Sequence, residues 1–442
     1  MAGRISARQI LTPTGWLANR VVSFDDSGVI QGISADGFEP ENAIGTLLPG
    51  MANLHTHSFQ RAMAGLAERR GPEGSGDFWG WRKVMYRFLQ LLTPDDIEAI
   101  AANVQMEMAE SGFTASAEFH YLHHRPDGTH YDDVAETSRA ILAASEASGI
   151  GLTHLPVLYT YGGLDGRSLS EEQRRFGCSI DDFAKLYARL EKLAAEIPAD
   201  LRLGLAPHSL RAVDKAGLEA CMTLCPNGPI HIHAAEQVKE VDEVEAYLGA
   251  RPVRWLLDNC QIDERWCLIH ATHMDDGEIS GLAESRAVAG LCPTTEANLG
   301  DGIFNGPEFV AAGGHYGVGS DSNINISLTE ELRTLEYSQR LSRKERNVMT
   351  KGAGSTGEAL YLSAAKGGAR ALGRACGAIA VGQLADLVAI DRNDPALFAL
   401  SDEQLLDGLV FAAKDQVVSD LWSAGRHMVR EGRHINGPQI TA

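Results

Sequence analysis

Between residues 47 and 319 the chain alternates short apolar runs with longer stretches of helical period. The runs at 47–54, 114–119, 151–158 and 201–207 have the length and texture of strands buried on both faces. Four more follow at 229–234, 267–271, 287–292 and 316–319. Helical patterns lie between them. Thr93-Pro94 opens one with a cap and an N1 proline, and Gly112 closes it. Another spans roughly residues 179–197, and Ser327 caps one after the last run. Eight strands, each followed by a helix, predict an α/β fold of the (β/α)8 TIM-barrel type.

The two chain ends have a different texture. Strand patterns at 4–11, 18–24 and 28–33 are separated by Thr-Pro-Thr-Gly and Asp-Asp-Ser-Gly turns. The far end repeats this around 377–391 and 415–427. Neither piece is long enough to fold well alone. They are expected to pair into one small β-sandwich domain (residues 1–49 with 376–442), the barrel of residues 50–375 being inserted between them. No internal repeat or low-complexity segment interrupts the pattern.

Composition narrows the class. In 442 residues, 44% hydrophobic and 22% charged side chains are ordinary for a globular protein. A balance of 39 basic against 59 acidic residues gives −20, which disfavours nucleic acid and anionic membrane as partners. A local arginine pocket for a small anion is compatible with that field. The first residues, Met-Ala-Gly-Arg-Ile-Ser-Ala-Arg, carry no apolar core of a signal peptide, so a cytoplasmic location is expected. Seven scattered cysteines favour reduced thiols, and Cys221 and Cys225 read as packing residues.

In such barrels chemistry sits where strands end and βα loops begin. The first barrel strand ends in His55-Thr-His57, whose side chains share one face of a strand. The fifth ends in His231-Ile-His233 with Glu236 three residues on, the sixth in His270, and the eighth in Asp321. One histidine at a strand end is ordinarily satisfied structurally. Polar groups at the ends of four strands are not explained that way. His55, His57, His233 and Asp321 make a first shell for one divalent ion, zinc first, with a position left for water. Bound zinc would supply hydroxide near neutral pH. Asp321 would hold that water and take its proton, Glu236 would shuttle a proton to a leaving nitrogen, and His270 would orient the nucleophile. His231 lies one pleat deeper, as core or support. Strands three and four carry no lysine to bridge a second metal.

Together these residues resemble the amidohydrolase superfamily over essentially the whole chain, including Gly-x-x-Ala-Asp386-Leu in the split β-domain. Within it, the chain is similar to the one-zinc deaminase branch that includes the deiminases of N-formimino-L-glutamate. The motifs carrying that likeness are Asn53 to Glu68, Phe78-Trp-Gly-Trp-Arg82, Glu118-Phe-His-Tyr121, Ala206-Pro-His208-Ser-Leu-Arg211 and His-Ile-His-Ala-Ala-Glu236-Gln. The resemblance implies hydrolysis of a formimino C=N group in histidine degradation, with release of ammonia and N-formyl-L-glutamate. It implies that Gln60 holds the formimino group. It also implies that Arg82, Tyr121, His208 and Arg211 hold the carboxylates. Ser58 stands where the family more often has alanine. The Gly- and Trp-rich segment 69–81 reads as a lid, and exposed Trp-bearing loops would suit a homodimer.

Two other readings compete. A deaminase of an amino-purine or pyrimidine, or a dehalogenating relative, would favour aromatic stacking over paired arginines. A non-catalytic scaffold on the same fold would be expected to lose metal ligands, and none is missing here.

Overall fold

The structure, a computed structural model, describes residues 2–68, 78–196 and 200–441. The chain opens with β1 (Gly3–Thr12), β2 (Gly15–Phe24), β3 (Ile30–Ser34) and β4 (Ile44–Pro49). It then enters β5 (Met51–Thr56). The apolar run at 47–54, expected as one strand, is therefore two. They part at Gly50, where a side chain would collide with Thr114, so the chain passes through a gap that only glycine fits.

After β5 come helices α1 (Phe78–Leu89) and α2 (Pro94–Glu110). Thr93 and Asp96 form a reciprocal capping box at the start of α2, as the Thr-Pro signal predicts. The parallel strands that follow are β6 (Phe113–His120), β7 (Gly151–Leu158), β8 (Arg202–Leu203) and β9 (Ala206–Pro207). The fourth expected strand is thus broken. At Gly204 the backbone passes against Leu155 and Pro229, so close that a Cβ would stand 2.5 Å from the Pro229 carbonyl oxygen. Next are β10 (Ile230–Ala234), β11 (Trp266–His270), β12 (Val288–Leu291) and β13 (His315–Val318).

These strands form two parallel sheets, β5-β6-β7-β8 with β9 on β7, and β10-β11-β12-β13. Helices follow every one of these strands except β8, which runs on into β9; among them are Ile180–Ala194, capped by Ser179, and Leu328–Arg343, capped by Ser327. Parallel bridges Leu205–Ile230 and Thr56–Asp321 connect the sheets at both margins.

The last strands, β14 (Leu387–Ile390), β15 (Val418–Ser423), β16 (Arg426–Arg430) and β17 (Arg433–His434), join the first four in one sheet. Its order is β17-β16-β15-β14-β4-β1-β2-β3, so both chain ends share it. Period-two alternation divides its faces. Leu47, Leu387 and Ala389 belong to a small separate core with Ile5, Val22 and Ile30. Their neighbours Leu48, Val388 and Ile390 turn the other way, into the main core beside the parallel strands. A buried ion pair ties the junction: Arg374 donates to both carboxylate oxygens of Asp386 at 2.8 and 3.0 Å, and to the Asp200 carbonyl at 2.7 Å. Asp386 also accepts from the Ala424 amide, and its carbonyl accepts from Gly50. No described helix is long and apolar enough to cross a membrane. Segment 69–77, most of the expected lid, lies outside the described residues.

Candidate active site

The carboxyl ends of the parallel strands converge on a cavity of about 600 Å³. His57, His233, His270, Glu236 and Asp321 line it, with Gln60, Arg82, Tyr121, His208 and Arg211. His55, fully buried, stands behind His57. All the residues singled out from the sequence are therefore brought together.

The strand ends are tightly clamped. Asp321 donates its amide to the His55 carbonyl at 2.9 Å, and His57 donates its own to the Asp321 carbonyl at 3.0 Å. This approach needs Gly319, where a Cβ would lie 2.7 Å from the His55 backbone. A buried network of Asn53, Ser320, Asn323 and Thr56 seals the same junction. At the ends of β10, β11 and β13 the chain turns through left-handed conformations at Ala235, His270, Ala271, Asp321 and Asn323. Each costs about 1 kcal/mol or more in a non-glycine residue. The clamps hold that strain where side chains must be aimed.

Three imidazoles converge. The Nε2 atoms of His55 and His233 are 3.1 Å apart, and Asp321 Oδ1 lies 3.5 Å from Nε2 of both His55 and His57. His57 Nδ1 donates to the Phe119 carbonyl at 3.0 Å, and His233 Nδ1 to the His208 carbonyl at 3.2 Å. Those bonds fix the tautomers and leave both Nε2 lone pairs facing inward. Burial drives the pKa of His55 down to about 3, lowers that of His57 and lowers that of His233 further. Neutral imidazoles beside an ionised carboxylate gather acceptors that one proton on His55 cannot satisfy. A divalent cation satisfies all of them, so the donor set fits a metal. Burial alone would raise the pKa of Asp321, but its hydrogen bond to His55 and the nearby histidines hold it below the carboxylate range.

His270 is a different case. Burial would lower its pKa, yet Glu236, Glu296 and Asp321 outweigh burial and hold it well above 6.5. Its Nδ1 lies 3.2 Å from Glu296 Oε1, and its Nε2 lies 3.7 Å from Glu236 and 3.8 Å from Asp321. Burial pushes the Glu236 carboxyl up to about 6, with His270 pulling it down and Glu240 pushing it up. His270, Cys292 and Asp321 bring ligand atoms within 4.8 Å of one another, a cluster beside that of the three histidines.

Across the cavity, Gln60 Nε2 donates to the Tyr121 hydroxyl at 3.1 Å, while its Oε1 is buried without a partner. Arg211 Nε is likewise buried and unpaired. Arg82 lies over the Tyr86 ring and donates to the Tyr159 hydroxyl at 3.4 Å. Burial first, then the charges of Arg211 and Arg82, keep His208 well below 6.5, so both guanidiniums are felt at one imidazole. His231 donates to the Ala371 carbonyl at 2.8 Å and is a core group.

Sequence reasoning missed several participants. Glu296 orients His270 from one turn beyond β12, in the short helix Pro293–Leu299. Tyr159 and Met85 complete the cavity wall. Ser58, noted only as a departure, has a partner: buried Glu118 accepts from its amide at 3.0 Å and from its hydroxyl.

Comparison with known proteins places this geometry among relatives. The profile of the amidohydrolase family matches residues 46–428. Formimidoylglutamate deiminase of Pseudomonas aeruginosa is 48% identical over 436 residues, covering 97% of this chain and 95% of that protein. The crystal structure of an amidohydrolase from Brucella melitensis superposes with a TM-score of 0.94 at 45% identity, over 99% of this chain and 97% of that one. A more distant relative is 5-methylthioadenosine/S-adenosylhomocysteine deaminase of Natronomonas pharaonis. It is 27% identical, over 97% of this chain and 92% of that protein.

Proposed function

The chain belongs to the amidohydrolase family, and from that premise we propose that it hydrolyses the formimino C=N group of N-formimino-L-glutamate, as the name of its Pseudomonas relative suggests. Water adds to the formimino carbon, the bond to the terminal nitrogen breaks, and ammonia and N-formyl-L-glutamate leave. One observation carries the substrate reading. Gln60 Oε1 and Arg211 Nε are both buried and unpaired on residues of one cavity wall. The first is an acceptor suited to an amidine N–H, the second a donor suited to a carboxylate. Arg82 and Tyr121 extend the carboxylate side, and His208 feels the charge of both arginines.

His55, His57, His233 and Asp321 would hold one divalent ion, zinc in this reading. When bound, such an ion supplies a water nucleophile that ionises near neutral pH. Asp321 accepts the proton of the attacking water. Glu236, with its carboxyl pushed up to about 6, carries a proton to the departing nitrogen. His270, kept cationic by its carboxylate neighbours and oriented by Glu296, donates toward the tetrahedral centre.

The two parallel sheets are read as halves of one closed (β/α)8 barrel. The bridges Leu205–Ile230 and Thr56–Asp321 support closure. Residues 50–375 then form the catalytic domain, and residues 1–49 with 376–442 the composite β-domain.

The experiment is ammonia release by zinc-loaded protein with N-formimino-L-glutamate, N-formimino-L-aspartate, guanine and cytosine. Turnover is expected with the glutamate compound and not with the nucleobases. Release from a nucleobase instead would refute the carboxylate pocket while leaving the metal chemistry standing.

A further inference from the structure

The side chain of Arg175 is among the largest that are fully buried in the described structure. Three of its hydrogen bonds run to backbone carbonyls: Nε to His124 at 2.9 Å, Nη2 to Leu92 at 2.6 Å, and Nη1 to Leu89. Leu89 is the last residue of α1, so its carbonyl is one of those a helix end leaves without an internal partner. A cation there also meets the negative end of the helix dipole. Burial lowers the guanidinium pKa, with Tyr131 opposing, but the group remains charged. A buried charge held by carbonyls and the Tyr131 hydroxyl, with no carboxylate ion-paired to it among the described residues, is costly, which calls for a reason beyond packing.

What α1 carries supplies the reason. Arg82, Met85 and Tyr86 reach the cavity from this helix. The segment around Arg175 touches the same wall at three points. Gln173 donates to the Tyr159 hydroxyl at 2.9 Å, and that hydroxyl is the one that receives Arg82. Phe176 packs edge-on to Tyr121, with ring centroids 4.9 Å apart, and lies 6.1 Å from Tyr86. The Arg175 carbonyl accepts from the amides of His123 and His124, which stitches this segment to the loop after β6.

We propose that Arg175 is a positioning residue for substrate binding: it locks the C-terminal end of α1 to the loops after β6 and β7, and thereby sets where Arg82 presents its guanidinium to the substrate carboxylate. This rests on the carboxylate role given to Arg82 above. Arg175 does not touch the cavity, and it acts through α1 and the Gln173–Tyr159–Arg82 relay.

The test is a double-mutant cycle with Arg175→Met and Arg82→Ala, with kcat and KM for N-formimino-L-glutamate measured separately. Arg175→Met is expected to raise KM about tenfold with kcat within about twofold, and to add little in the Arg82→Ala background, since positions acting as one unit are not additive. Equal losses of kcat in both backgrounds, or full additivity in KM, would overturn the proposal in favour of a purely structural role. Arg175→Lys keeps the charge without the three-way fork and carries the same cycle should the methionine variant fail to fold. Arg82→Ala separates the two ideas. An unchanged KM there refutes its carboxylate role and the positioning proposal with it. A raised KM with additive behaviour refutes only the positioning.

Discussion

Replacing Arg211 by alanine should cost substrate recognition without unfolding the protein. Its Nε is buried without a partner, and its charge is felt at both His208 and Glu236. Arg211 is therefore near enough to act on the charge state of both His208 and Glu236. A charge-assisted hydrogen bond of this kind contributes about 1.5–3 kcal/mol. That corresponds to a fall in kcat/KM of roughly 10- to 150-fold for N-formimino-L-glutamate. The assay is ammonia release with that compound and with an N-formimino alkylamine that has no carboxylate. The loss should be confined to the first. A second effect follows from position. Arg211 lowers the Glu236 pKa, so its removal should shift any pH–rate limb belonging to Glu236 upward from about 6. An equal loss on the carboxylate-free amidine would refute the assignment and make Arg211 a support of the catalytic groups instead.

Four further outcomes are expected. His233→Ala should lower bound metal, measured by elemental analysis, and activity should fall in parallel; full metal content would remove His233 from the ligand set. Glu236→Gln should slow ammonia release by about 10²- to 10⁴-fold, with KM changed far less, as loss of a positioned proton carrier does. Glu118 has its carboxyl pushed up from 4.5 to about 8 by burial, against its bonds to Ser58. The folded protein thus keeps a proton that the unfolded chain releases, and stability falls as pH rises from about 4.5 through 8. In Glu118→Gln, melting temperature should lose that part of its pH slope; an unchanged slope would refute the buried neutral carboxyl. Asp386→Ala leaves Arg374 charged and buried, and should destabilise by about 3–5 kcal/mol in denaturant titrations. Arg374→Met with Asp386→Leu should recover most of it.

The residues expected to do chemistry were legible because period two and strand ends are local signals. His55 and His57 share a face by alternation, and His233, His270 and Asp321 announce themselves where apolar runs stop. What spacing does not encode is where the chain turns without a polar signal. The run at 47–54 is apolar on both sides of Gly50, because β4 and β5 are both buried, one in the composite sheet and the other beside β6. The fourth strand breaks at Gly204 for a tertiary reason, the close approach of Leu155 and Pro229.

The same limit explains the missed polar partners. Glu296 and Arg175 have an unremarkable setting in sequence, and Asn53 stood out only as part of the His-x-His motif. Their meaning comes from groups far away along the chain: Asn53 from Ser320, Glu296 from His270, Arg175 from the end of α1. Most buried polar side chains have a partner, and where the first parallel strand meets the chain after the last, across the Thr56–Asp321 bridge, that partner is no sequence neighbour. The residues proposed to bind or react are thus visible as patterns, whereas their buried partners become visible only once the strands are assembled. Arg82 joins the two cases: the carboxylate role proposed for it came from resemblance, and its path into the cavity comes from α1, whose last carbonyl accepts from Arg175.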